Sequence, residues 1–112
     1  TTVHKNMNIQ KLNKTKERVG YILQNHEKAR NSDSWLICKY WATFYPGKIK
    51  RDDKDRAMVY LDEIVEFQSS ESIRRTRQKI QNDEKLWQPT DPEVRKQRGI
   101  SEEEYKQWAL NY

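Results

Sequence analysis

The sequence predicts an all-α protein: a small helical bundle with a helix-turn-helix-like pair and a helical C-terminal arm. Three observations carry that expectation. Only three glycines and three prolines punctuate 112 residues, apolar side chains recur three and four positions apart, and the period-two alternation of strands is nearly absent. The length suits one compact domain rather than two. Hydrophobic residues make up 34% of the chain and charged residues 35%, so the core must be small and must draw on Trp35, Trp41, Trp87 and Trp108.

Residues 1–14 are expected to be loosely ordered, 15–86 to form the helical domain, and 87–112 to form an arm packed on that domain or on a partner. Thr15 suits the cap of a first helix reaching about His26, with Val19, Ile22 and Leu23 on its inner face, Ile9 and Leu12 extending that face backwards, and Gly20 weakening it. Asn31, Ser32 and Asp33 offer caps for a second helix to about Tyr45, in which Leu36, Ile37, Tyr40, Trp41 and Phe44 make the core stripe. Cys38 lies in this apolar run and is expected to pack as a small hydrophobe; as the single cysteine it has no disulfide partner within the chain. Pro46-Gly47 ends the helix, and Lys48, Lys50 and Arg51 form a basic loop.

Asp52 and Asp53 then suit the positive end of a third helix, expected to run to about Phe67 with Met58, Leu61, Ile64 and Val65 as its stripe. Ser69 and Ser70 supply caps for a fourth helix, Glu71 to about Asp83, with Ile73 and Ile80 seven residues apart. In the arm, Thr90-x-x-Glu93 with Pro92 reads as a capping box, Gly99 closes a short helix, and Ser101-x-x-Glu104 opens a last one bearing Tyr105, Trp108 and Tyr112.

Charge is sorted along the chain. Residues 1–51 hold eleven Lys/Arg against Glu17, Glu27 and Asp33, whereas residues 52–112 hold eleven against fourteen Asp/Glu, within a net charge of +5. Arg74, Arg75, Arg77 and Lys79 nevertheless stand together with no acid among them. The segment LDEIVEFQSSESIRRTRQKI (61–80) has the order of a helix-turn-helix, in which the second helix enters the major groove. Arg74, Arg75, Arg77 and Lys79 are the expected DNA contacts, because guanidinium forks match guanine edges and phosphates. Gln78 suits adenine, and Ser70 and Ser72 at the helix start suit phosphate. The usual small turn residue is missing, since Glu66, Phe67 and Gln68 stand there instead. The competing reading is a four-helix bundle whose Arg-rich helix displays charge to water.

Catalysis is not expected. His4 and His26 are the only histidines, and the carboxylates of Asp52-Asp53-Lys54-Asp55 lack the glycine and terminal glutamate of a calcium loop. No phosphate-binding glycine loop or nucleophile elbow is present, and neither cofactor nor metal is expected. The roughly 20 apolar residues of a membrane span and the apolar core of a signal peptide are both missing, so a cytoplasmic location without membrane contact is expected.

Three segments, ARNSDSWLICKYW (29–41), SSESIRRTRQKIQNDE (69–84) and PTDPEVRKQRGISEEEY (89–105), carry a resemblance. Together they resemble a group of small proteins, without an assigned activity, encoded by phages and prophages of Gram-positive bacteria. The resemblance runs from about Thr15 to Tyr105. It implies a phage origin, the host cytoplasm and a helix-turn-helix-like fold, serving as a regulator, a replication or packaging accessory, or an inhibitor of host defence. The expected partner is double-stranded DNA. A protein partner, or a second copy bound through Tyr105, Trp108 and Tyr112 of the arm, is the alternative expectation.

Overall fold

The structure is a computed structural model that describes residues 14–109. The order is α1 (Thr15–Asn25), α2 (Glu27–Asn31), α3 (Asp33–Phe44), β1 (Lys50–Arg51), β2 (Ala57–Met58), α4 (Leu61–Ile64), α5 (Ser70–Gln78), α6 (Pro92–Gln97) and α7 (Glu102–Ala109). It is an all-α fold whose two short strands form one hairpin. Among the described residues no helix is long and apolar enough to cross a membrane.

The core lies where α1, α3 and α5 meet. Val19, Ile22 and Leu23 from α1, Leu36 and Tyr40 from α3, and Ile73 with Ile80 are buried there, with Trp35, Trp41, Phe44, Tyr45 and Trp87 packed around them. The side chains follow the expected helical stripes, since i, i+3 and i+4 positions share a face. Ser32 caps α3 by accepting from the Trp35 amide at 3.2 Å. Thr15 is not a cap: it lies inside α1 after an extended Lys14, and its hydroxyl donates to Gln68 Oε1 at 3.0 Å. Cys38 is exposed, contrary to the expected packing, because it falls on the side of α3 opposite Leu36 and Tyr40.

The expected third helix over 52–67 is replaced by a hairpin and a single helical turn. Asp52 decides this locally. Its Oδ1 accepts from the amides of Lys54 at 2.9 Å and Arg56 at 2.8 Å, a side-chain turn that competes with helical pairing. Asp55 then takes a left-handed φ of 60°, and the chain returns with Lys50 opposite Met58 and Arg51 opposite Ala57. Only Leu61–Ile64 becomes helical, so the first helix of the expected helix-turn-helix-like pair is reduced to a single turn with no buried residue.

The turn into α5 is fixed without a glycine. Phe67 stacks on Tyr45 with ring centroids 4.2 Å apart, and Trp41 meets its edge at 5.6 Å. The Gln68 amide donates to Tyr45 Oη at 2.8 Å, while Gln68 O accepts from Trp41 Nε1 at 2.9 Å. Aromatic packing and these two hydrogen bonds therefore set the angle at which α5 leaves the turn.

Beyond α5 the helix widens into a π turn over Lys79–Asp83. The segment that follows is stitched to α2: Asn31 Oδ1 accepts from the amides of Thr90 at 2.8 Å and Asp91 at 3.0 Å, and its Nδ2 donates to Thr90 Oγ1 at 3.0 Å. Asp91, rather than Thr90, caps α6 by accepting from the Glu93 amide at 2.9 Å. Gly99, with φ 75°, closes α6, as its own amide and that of Ile100 reach back to Lys96 O and Arg95 O. Ser101 Oγ accepts from the Glu104 amide at 3.1 Å at the start of α7.

Candidate nucleic-acid interface

Helix α5 begins at Ser69, whose Oγ accepts from the Ser72 amide at 3.1 Å and donates to Ser72 Oγ at 3.0 Å. Ile73, Arg77, Ile80 and Gln81 form its buried edge. Ser70, Arg75 and Lys79 are exposed, and Ser72, Arg74 and Gln78 are half-buried. Six of the seven residues expected to meet DNA thus lie outside the buried edge. Ser72 Oγ accepts from Ser69 Oγ, and its own hydroxyl proton is not used in that contact.

Arg77 is the exception, and the expectation that it meets DNA is overturned. Its side chain is 5% exposed, with Nε donating to Asp33 Oδ1 at 2.9 Å and Nη2 to Asp33 Oδ2 at 3.0 Å. Four residues after Ile73 and three before Ile80, it sits on the buried stripe itself, so its guanidinium must find a carboxylate inside the protein. The fork-to-fork pair with Asp33, at the start of α3, supplies it.

This pair belongs to a larger network. Arg98 approaches the same Asp33, with Nη2 3.7 Å from Oδ1, while its Nη1 donates to Arg30 O at 2.9 Å and Gln81 Oε1 at 3.1 Å. Gln81 Nε2 donates to Trp87 O at 2.6 Å, and Gln88 Nε2 to Gln81 O at 2.9 Å. Burial, together with the adjacent Arg77 cation, lowers the Arg98 pKa to about 10. The network joins α3, α5 and the segment around α6 across 44 to 68 residues of sequence. Sequence reasoning missed Asp33, Gln81 and Arg98 as its members, because nothing local marks such distant partners. The place of Arg77 between two isoleucines of one stripe was the only legible signal.

On the outer face, Glu71 holds both remaining arginines. It accepts from Arg74 Nε at 3.1 Å, from Arg74 Nη2, and from Arg75 Nε at 3.0 Å. The Arg74 hydrogen bonds, then those of Arg75, hold the Glu71 carboxyl below its ordinary pKa, and Glu71 raises that of Arg74 in turn. These are solvent-exposed pairs, which exchange readily for another anion. With Lys79, the face retains more positive than negative charge.

In the arm, Tyr105 already has an internal partner, because the Arg95 guanidinium lies 3.9 Å from its ring centroid. Arg95 is itself buried and donates to Thr90 O at 2.7 Å. The side chain of Trp108 and all of Tyr112 lie outside the described residues. His26 sits between α1 and α2 with its ring 5.3 Å from Trp35, and burial followed by the Lys39 charge lowers its pKa. Among the described residues no group of three or more His, Cys, Asp or Glu side chains is placed to hold a metal ion.

Compared with protein families, curated proteins and solved structures, the chain matches none.

Proposed function

We propose that this chain is a non-catalytic double-stranded DNA-binding protein that lays the outer face of α5 in a major groove. The observation that carries the reading is the division of α5: one edge is consumed by the core, while Arg74, Arg75, Gln78 and Lys79 remain at the surface of a helix whose entry is rigidly set. Arg74 and Arg75 would exchange Glu71 for phosphate or guanine, Gln78 suits adenine, and Lys79 and Ser70 suit backbone phosphates. The role in regulation, replication or packaging follows only from the resemblance to phage proteins, as does the host cytoplasm.

Titration of a random-sequence duplex with the protein across a salt series tests this reading. Micromolar-range binding whose logarithm falls linearly with the logarithm of salt concentration is the expected result. Absence of binding at low salt contradicts it.

A further inference from the structure

Residues 50–66 contain no buried residue, although Ala57, Met58, Val59, Tyr60, Leu61, Ile64 and Val65 make most of 57–66 apolar. Four large side chains stand in solvent: Met58 at 50% exposure, Tyr60 at 61%, Leu61 at 84% and Val65 at 79%. Leu61 and Val65 are four residues apart at α4, so they stand one above the other on the same side. A two-residue-per-strand hairpin and a one-turn helix are each marginal alone and gain stability chiefly by packing. Here both strands are exposed at every position. Large exposed apolar side chains concentrated in one segment in this way mark a contact surface.

The charges beside this segment identify what covers it. Residues 48–58 carry Lys48, Lys50, Arg51, Lys54 and Arg56 against three aspartates, whereas residues 59–70 carry Asp62, Glu63 and Glu66 and no base. In sequence, these apolar residues therefore join a hairpin of net positive charge to an acidic turn, whose Glu63 is already paired with Lys48 at 3.6 Å. On one side Lys50, Arg51, Lys54 and Arg56 are exposed together with Asp53 and Asp55, with Arg51 paired to Asp55 and Arg56 to Asp52, which leaves a small net positive charge; on the other, Asp62 and Glu66 are exposed. Two copies related by a two-fold axis through this segment would set the hairpin of one over α4 of the other, twice, with the apolar side chains meeting at the centre.

We propose that this face binds a second copy of the chain, with Met58, Tyr60, Leu61 and Val65 as the centre of an isologous interface. The exposed stretch from 50 to 66 approaches the 20 to 30 residues per side of a standard interface, and Met and Tyr are among the types enriched there. This interface uses none of the residues named for the aromatic arm and does not depend on DNA binding.

Sedimentation equilibrium of the full chain across the micromolar range tests the proposal. The wild-type protein is expected to dimerise reversibly, and the double variant Leu61→Asp/Val65→Asp to dimerise at least about tenfold more weakly. Circular dichroism should show unchanged helix content in that variant, since both side chains already face water. Trp108→Ala should dimerise like the wild type. A wild-type protein that stays monomeric overturns the proposal, as does a Leu61/Val65 variant that dimerises normally or a dimer that only the Trp108 substitution dissociates.

Discussion

The two sides of α5 use the same residue type for opposite ends. On the inner side, Arg77 is fixed by both oxygens of Asp33 and is shut away from solvent. On the outer side, Arg75 has a side chain 72% exposed and shares Glu71 with Arg74. The difference teaches that an arginine cluster read along a helix is not one surface. A rotation of about 200° between positions 75 and 77 separates a structural tie from a ligand-accessible group.

The largest expected effect comes from breaking the inner side. Asp33→Ala removes the carboxylate shared by Arg77 and Arg98 and leaves two buried or half-buried guanidinium groups facing each other, at a cost of about 3–5 kcal/mol. Chemical denaturation should show it as a lower midpoint with an unchanged slope. Ile73→Ala, on the same edge, should cost about 2–5 kcal/mol by leaving a cavity.

The outer side should behave in the opposite way. Arg74→Ala/Arg75→Ala should leave the unfolding midpoint almost where it was, because both side chains sit at the surface. Under the proposed function the same variant weakens duplex binding and makes its salt dependence shallower, by about one in the logarithmic slope for each phosphate that an arginine no longer neutralises. Glu71→Gln sharpens the contrast. It releases both arginines and removes an acid from the face, so duplex affinity should rise a few-fold at low salt and the gain should fade as salt screens it.

The smallest effects concern local order. Acidification should loosen the hairpin tip before the core: hydrogen bonds from the Arg56 amide, and then its side chain and the Lys54 amide, hold Asp52 below the usual carboxylate pKa. A depressed folded pKa means that this contribution is complete above the ordinary value and is lost as pH falls through the folded one. The Lys54 and Arg56 amide resonances should shift in that acidic window and not near neutrality. Gly20→Ala should stabilise α1 by about 0.5–1 kcal/mol, since a Cβ there meets Trp87 at 3.5 Å, an ordinary contact.

What was legible in the sequence was local. The stripes Val19–Ile22–Leu23 and Leu36–Tyr40, the Ser32 and Ser69 caps and the glycine stop at Gly99 rest on neighbours within one or two turns, and the structure forms them. The 52–67 region misled because its apolar spacing is helical while Asp52 closes a competing turn over four residues. Periodicity cannot weigh that competition. Arg77 misled for a different reason, as its carboxylate lies 44 positions away. The turn before α5 lacked its glycine because Tyr45, Trp41 and Phe67 do by packing what backbone freedom does elsewhere.

The most direct test of the division of α5 is to follow the arginine Nε–H resonances of the labelled protein as a duplex is added. Arg74 and Arg75 are expected to shift with DNA, while Arg77 and Arg98, held in the Asp33 network, stay in place. Movement of the Arg77 resonance with Arg74 and Arg75 unmoved, or no arginine response at a saturating duplex concentration, would contradict this division.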